Sequence, residues 1–270
     1  MTLATDVRSN RLLASLADSD ETAWLRQLEP VELRAGDVLH EPGRTVNYLY
    51  FPTSAIISLL YITEQGQSSE IAIVGDEGVV GISLFLGGHS TPLRAIVQSA
   101  GVGLRLRAHV LMDEFEQAGA VMQVLLRYTQ ALMTQTTQTA VCNRHHPLEQ
   151  QLCRWLLLNL DRLHSNHIDM THETISNLLG VRREGVTQAA GRLNKCGLIE
   201  SSRGRITVVD RVGLEERACE CYSVVRNEYD RLLPRMRSMT DHARTIVTRT
   251  MRRQRVTPCL ATHVPEMIAG

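Results

Sequence analysis

The stretch THETISNLLGVRREGVTQAAGRLNKCGLIESSRGRITVVD, residues 171–210, reads as two short helices joined by a tight turn and followed by a hairpin. Thr171 is placed to cap the first helix, with Glu173 in its first turn where a negative charge meets the positive end of the helix dipole. Ile175, Leu178 and Leu179 recur at helical spacing and give that helix one apolar face. Gly180 follows where the chain must reverse, because glycine accepts a left-handed backbone without steric cost. On a wheel of about 100° per residue, Val186, Ala189, Ala190 and Leu193 fall within a sector about 100° wide. Arg183, Glu184, Thr187, Gln188, Arg192 and Lys195 lie outside it. The alternation in LIES and RITVV around Ser202-Arg203-Gly204 reads as a two-stranded wing.

One face of the second helix is thus apolar and packs on the first helix. The other offers Arg and Gln, which bond bidentately to guanine and adenine edges, and Glu, which accepts from a cytosine amino group. Arg182, Arg183, Glu184, Thr187, Gln188 and Arg192 are the candidate DNA-reading residues, with Arg203 and Arg205 at the wing tip suited to phosphate.

The net charge of the 270 residues is zero, yet it is unevenly spread. Residues 1–143 hold 9 Arg against 15 Asp and Glu, whereas 144–255 hold 20 Lys and Arg against 13 Asp and Glu. A basic half beside an acidic one suits a nucleic-acid reader joined to a regulatory module. The first ten residues lack an apolar core, and the longest apolar run, 55–62, is too short to span a bilayer. A cytoplasmic protein without membrane contact is therefore expected, in which the six cysteines stay free thiols. Cys219-x-Cys221 is a weak metal signal, since two ligands one residue apart on a helix cannot share a face, and buried thiols are the favoured reading. The ten histidines show no HExxH or comparable spacing. His40, His89 and His109 are scattered singles, and the His145-His146 pair reads as a solvated hinge. No metal, no cofactor and no enzyme are expected.

From Pro30 to about Arg107, short apolar runs broken by Gly and Pro suggest an all-β barrel or roll. A short helix over 110–117 and a long one over 120–143 follow. In the long helix Val121, Leu125, Tyr128 and Leu132 form a heptad seam that continues through Gln135, Thr139 and Cys142. Such a seam most simply pairs with its copy in a homodimer; the alternative is packing against the roll of the same chain. Residues 211–233 read as one helix, and 236–270 as a basic, mobile tail.

The order of these parts resembles the Crp/Fnr superfamily of bacterial transcription regulators, over about residues 25 to 215. LRAGDVLHEPG and NYLYFP are similar to the opening of the cyclic-nucleotide-binding roll, and GVRREGVTQAAGRL to the family's recognition helix. The resemblance implies an α+β fold: an N-terminal cyclic-nucleotide-binding-like β-roll, a long dimerisation helix and a C-terminal winged helix-turn-helix. It divides the chain into a sensor with its long helix (1–143), a DNA-binding domain (144–235) and the tail. It places Arg183, Glu184 and Gln188 at the three base-reading positions, the third being more often Arg in the family. Double-stranded DNA, a second copy of the chain and RNA polymerase are the implied partners.

The family's phosphate-binding cassette falls in GVVGISLFLGGHSTPLRA. Arg94 stands where the cyclic phosphate is paired, but Ile82 replaces the ribose-binding Glu and Ala95 the neighbouring hydroxyl. Each lost polar partner costs about 1–3 kcal/mol, which weighs against cyclic AMP and leaves a small-molecule effector unidentified. Thr136 and Thr137 lie near where the family's long helix meets the base. The iron–sulfur members' N-terminal cysteine cluster has no counterpart before Cys142. A rival reading is a signal-binding module acting through protein contacts.

Overall fold

Strand β4 (Ile56–Ile62) is apolar on both faces apart from Ser58: Ile57 and Leu59 face the interior of a β-roll, while Ile56 and Leu60 face a helical layer outside it. The computed structural model describes residues 7–17 and 23–233; the 236–270 segment and Cys259 lie outside them. The roll has two antiparallel sheets. One runs β1 (Glu29–Leu33), β7 (Gly101–Arg107), β3 (Tyr48–Pro52); the other runs β2 (Val38–His40), β6 (Arg94–Ser99), β4, β5 (Ser68–Val74). Leu33, Ile57, Val80, Ala95 and Val97 fill the space between the sheets.

Helix α1 (Arg11–Ala17) is capped by Asn10, whose Oδ1 accepts from the Leu13 N–H at 3.0 Å. After the roll come α2 (Ala108–Glu116), the 26-residue α3 (Ala120–His145) and α4 (Leu148–Leu163). The C-terminal half adds β8 (His167–Asp169), α5 (His172–Leu179), α6 (Arg183–Lys195), β9 (Ile199–Ser202) and β10 (Arg205–Val208). The wing is three-stranded rather than two, in the order β8-β10-β9. The single helix expected over 211–233 is two, α7 (Arg211–Arg217) and α8 (Glu220–Leu232). Their apolar residues have different partners: Leu214 of α7 lies beside α4, whereas Tyr229 of α8 meets Tyr128 of α3 ring to ring at 6.5 Å.

That arrangement corrects the assignment of the long-helix seam. Val121, Leu125, Tyr128 and Leu132 are all buried within a single chain. Tyr128 donates its hydroxyl proton to the Val79 carbonyl at 3.1 Å. A Cβ at position 78 would lie 2.5 Å from the Tyr128 ring, so only glycine admits it. The roll and α8 cover the seam, and the second copy expected there has no room. A different stripe of α3 faces outward: Leu126, Gln130, Met133, Thr137 and Ala140, spaced four, three, four and three, with Leu126 45% and Met133 59% exposed.

Two buried polar assemblies join the roll to α4. The first is a ring. Trp155 Nε1 donates to Glu70 Oε1 (2.9 Å), and Glu70 Oε2 meets Ser58 Oγ (2.5 Å). Ser58 Oγ meets Gln98 Oε1 (2.6 Å), Gln98 donates to Asn159 Oδ1 (2.5 Å), and Asn159 donates to the Trp155 carbonyl (2.9 Å). Ser58 has one proton for two acceptors, so the ring closes without an orphan when Glu70 carries a proton and donates it to Ser58. Desolvation raises the Glu70 carboxyl to about 7, against the hydrogen bonds from Ser58 and Trp155 and the charges of Arg154 and Arg162. The second assembly is the Glu77–Arg162 ion pair at 2.7 Å, with side chains only 3% and 6% exposed. Arg162 also donates to the Leu158 carbonyl and to Gln135 Oε1, and lies over the Tyr229 ring.

Candidate nucleic-acid interface

The recognition unit follows from local chemistry. Thr171 Oγ1 accepts from the Thr174 N–H at 3.1 Å and starts α5. Gly180 ends it with φ 67°, the left-handed conformation that glycine supplies. Val186, Ala189, Ala190 and Leu193 are buried, as the wheel requires. Arg182, Arg183, Glu184, Thr187, Gln188 and Arg192 are all exposed on the opposite side.

Four of these, Arg182, Arg183, Glu184 and Gln188, form no ion pair among the described residues. Thr187 donates to the Arg183 carbonyl and meets His172 Nδ1 at 3.2 Å, while His172 Nε2 meets Ser201 Oγ of β9 at 3.1 Å. His172 therefore ties α5, α6 and the wing together. Partial burial and the positive charge of Arg183 lower its pKa and favour the neutral ring. Sequence reading passes over this residue, whose position beside the Thr171 cap is its only signal.

Arg192 departs from the expected role. Its Nε binds Glu149 Oε2 of α4 at 2.6 Å, and Arg217 of α7 binds the other carboxylate oxygen at 2.6 Å. Burial alone would raise the Glu149 carboxyl, yet the two guanidinium groups hold it below the usual carboxylate range. Arg192 thus anchors the far half of α6 to α4. On the wing, Arg205 pairs with Asp169 of β8 at 2.5 Å, whereas Arg203 at the exposed tip forms no ion pair among the described residues. Arg203 remains available for phosphate and Arg205 is held by its neighbour.

The expected effector residues do not converge on an open polar site. Arg94 pairs with Glu41 of the roll, its Nη2 2.9 Å from the carboxylate. Ala95 is buried among the apolar residues between the sheets. Thr136 and Thr137 donate to the Met133 carbonyl of their own helix, at 2.8 and 2.9 Å.

Cys142, Cys153, Cys219 and Cys221 are buried free thiols, as expected, but the helix-face argument needs correction. Cys219 is the extended N-cap of α8 and not a residue inside it, so the argument that Cys219 and Cys221 cannot share a face does not hold. Both lie beside Cys142 and His146, and His146, the half-buried C-cap of α3, is not a solvated hinge residue.

Among the described residues, no helix is long and apolar enough to cross a membrane. The family model of the cyclic nucleotide-binding domain matches residues 30–118, and that of the Crp-like helix-turn-helix domain matches 150–217. No curated protein matches the chain. Several solved structures share the fold. FixK2 from Bradyrhizobium japonicum is 16% identical with a TM-score of 0.60, over 71% of this chain and 98% of that one. A CRP-family transcriptional regulator from Thermus thermophilus, TTHB099, is 18% identical with a TM-score of 0.58, over 70% and 96%. The c-di-GMP-responsive global regulator CLP from Xanthomonas campestris is 14% identical with a TM-score of 0.55, over 68% and 94%. Roll, long helix and winged helix-turn-helix stand in the same order in sequence and in space, and with both family models in their places the chain belongs to the Crp/Fnr superfamily of transcription regulators.

Proposed function

We propose that the protein is a cytoplasmic homodimer that binds an inverted repeat in double-stranded DNA through α6 and meets RNA polymerase at the promoter. The observation that carries this reading is the exposed row Arg182, Arg183, Glu184 and Gln188, free of intramolecular ion pairs among the described residues, with Arg203 at the wing tip. Two exposed guanidinium groups beside a carboxylate and a carboxamide offer on one helix the donors and acceptors that base edges in the major groove take. The second copy seats on the outward stripe Leu126, Gln130, Met133, Thr137 and Ala140, whose spacing is that of a coiled-coil seam. Two-fold symmetry then sets the half-sites about 34 Å apart.

A signal acting at the roll is part of this reading, and cyclic AMP is a poor fit for it. Glu41 already pairs with Arg94, and Ala95 is buried among the apolar residues between the sheets. Selection from a random DNA pool tests the proposal. Enrichment of an inverted repeat with a G in each half is the expected result, and a pool that stays random at low salt would overturn it.

A further inference from the structure

Cys142 and His146 stand at the end of α3, and Cys219 and Cys221 at the start of α8. Their Sγ and imidazole nitrogen atoms all lie within 4.8 Å of one another. Cys142 Sγ is 3.5 Å from Cys219 Sγ, and Cys221 Sγ is 3.6 Å from His146 Nδ1. A tetrahedral zinc ion with Zn–S about 2.3 Å and Zn–N about 2.05 Å holds its sulfurs about 3.8 Å apart and sulfur and nitrogen about 3.6 Å apart. Two of the six edges of the cluster match those lengths, and the other four are no longer than 4.8 Å. A disulfide, with sulfurs about 2.05 Å apart, would use two of the thiols and leave the third and the imidazole without a role.

We propose that Cys142, His146, Cys219 and Cys221 form a closed tetrahedral site for a thiolate-seeking divalent cation, zinc being the one that fits. His146 ligates through Nδ1, because its Nε2 is held by Glu220 Oε1 at 3.3 Å, the carboxylate–histidine pairing that orients a metal-bound imidazole. Three thiolates and a dication leave one net negative charge. The buried guanidinium of Arg154 stands near Cys142 and Cys221 to balance it. Arg154 donates to Thr139 through Nη1, while its buried Nε has no hydrogen-bond partner among the described residues.

The position of the site gives it a consequence. The chain leaves α3 at His146, builds the whole winged helix-turn-helix, and returns at Cys219, 73 residues later. One ion therefore fastens the entry and exit strands of the DNA-binding domain to each other and to the long helix. Cross-linking so long a loop removes much of its freedom, and loss of the ion releases the hinge at Pro147 and the first turn of α8 together.

The test uses the full chain purified in reductant without chelator. About one zinc per chain is expected. After chelation, added Co2+ should give the intense visible bands of a tetrahedral thiolate complex, displaced by Zn2+. The double variant Cys219→Ser/Cys221→Ser should lose both signals, and Cys153→Ser or Cys196→Ser neither. Glu220→Gln, on an exposed side chain, should weaken zinc about tenfold without changing the stability of the metal-free chain, and so guards against a misfolded double variant. Wild type that is folded by circular dichroism yet takes up neither ion, or the double variant binding both as tightly, would overturn the proposal. Air oxidation to a Cys142–Cys219 disulfide in protein that never takes up cobalt would do the same.

Discussion

Replacing Glu70 by Gln should stabilise the protein at alkaline pH and leave it unchanged in acid. The carboxyl is raised from an ordinary 4.5 to about 7, chiefly by burial. Between those values the folded chain holds a proton that the unfolded chain has released. Stability is therefore fully present below about pH 4.5 and is lost as the pH rises through 7. At about 1.4 kcal/mol per pH unit the cost of the ionised group is on the order of 3 kcal/mol, with the charges of Arg154 and Arg162 already acting on the shift.

Glutamine fits the ring as the protonated acid does. Its Oε1 can accept from Trp155 Nε1 and its amide can donate to Ser58 Oγ, which frees the Ser58 proton for Gln98. Urea unfolding of both proteins from pH 4.5 to 8.5 should show curves that coincide in acid and separate by up to about 3 kcal/mol above pH 7, the variant being the more stable. A gap independent of pH, or a wild type that gains stability from pH 5 to 8 relative to the variant, would mean that Arg154 and Arg162 keep Glu70 ionised, and the single-proton argument for the ring would fall.

Glu77→Ala should cost about 3–5 kcal/mol in the same assay, because it leaves Arg162 charged and buried; Glu77→Ala/Arg162→Met should recover much of that. Met133→Asp should yield monomers in light scattering with the thermal transition preserved, whereas Leu125→Asp should unfold the chain, since Leu125 is buried within it. Retention of the dimer by Met133→Asp would show that the outward stripe is not the interface. Arg183→Ala should cost about 1–3 kcal/mol of DNA binding and relax preference at one base per half-site. Arg203→Ala should weaken all sequences alike and lower the salt slope by about one, so an unchanged base preference in Arg183→Ala would refute the assigned reading face.

The helix-turn-helix is legible because every signal for it is local: the Thr171 cap, the left-handed Gly180 and the apolar sector of α6 are separated by a few residues. What sequence does not supply is the identity of partners far along the chain. A heptad stripe states that a face is covered and not by what. The more apolar stripe of α3 goes to Gly78, Val79 and Tyr229 of its own chain, leaving the weaker one outward. Arg192 points away from the core on a wheel, yet Glu149 of α4 waits there. The four residues of the proposed metal site divide into pairs separated by 72 residues, and the second pair looks mismatched only on the assumption of an unbroken helix. Each miss is a tertiary contact that no local pattern encodes.

Reorienting the recognition helix must separate the α5–α6 turn from the roll, because a Cβ on Gly180 would lie 2.6 Å from Ser69 Oγ of β5. A signal can drive that separation only by its differential affinity for the two arrangements. The two polar assemblies bear on it differently. Parting the Glu77–Arg162 pair costs about 3–5 kcal/mol only while the charges stay buried, so it opposes small shifts of α4 on the roll that let in no water. The Glu70 ring can vary, since loss of one proton removes the donor to Ser58 and sets a carboxylate between Trp155 and the roll. A change of up to about 3 kcal/mol there corresponds to roughly 150-fold in an equilibrium constant. That is large enough to tilt a junction which the ion pair still holds together, and the contact it would adjust lies between β5 and α4, beside the turn that any reorientation of α6 would move.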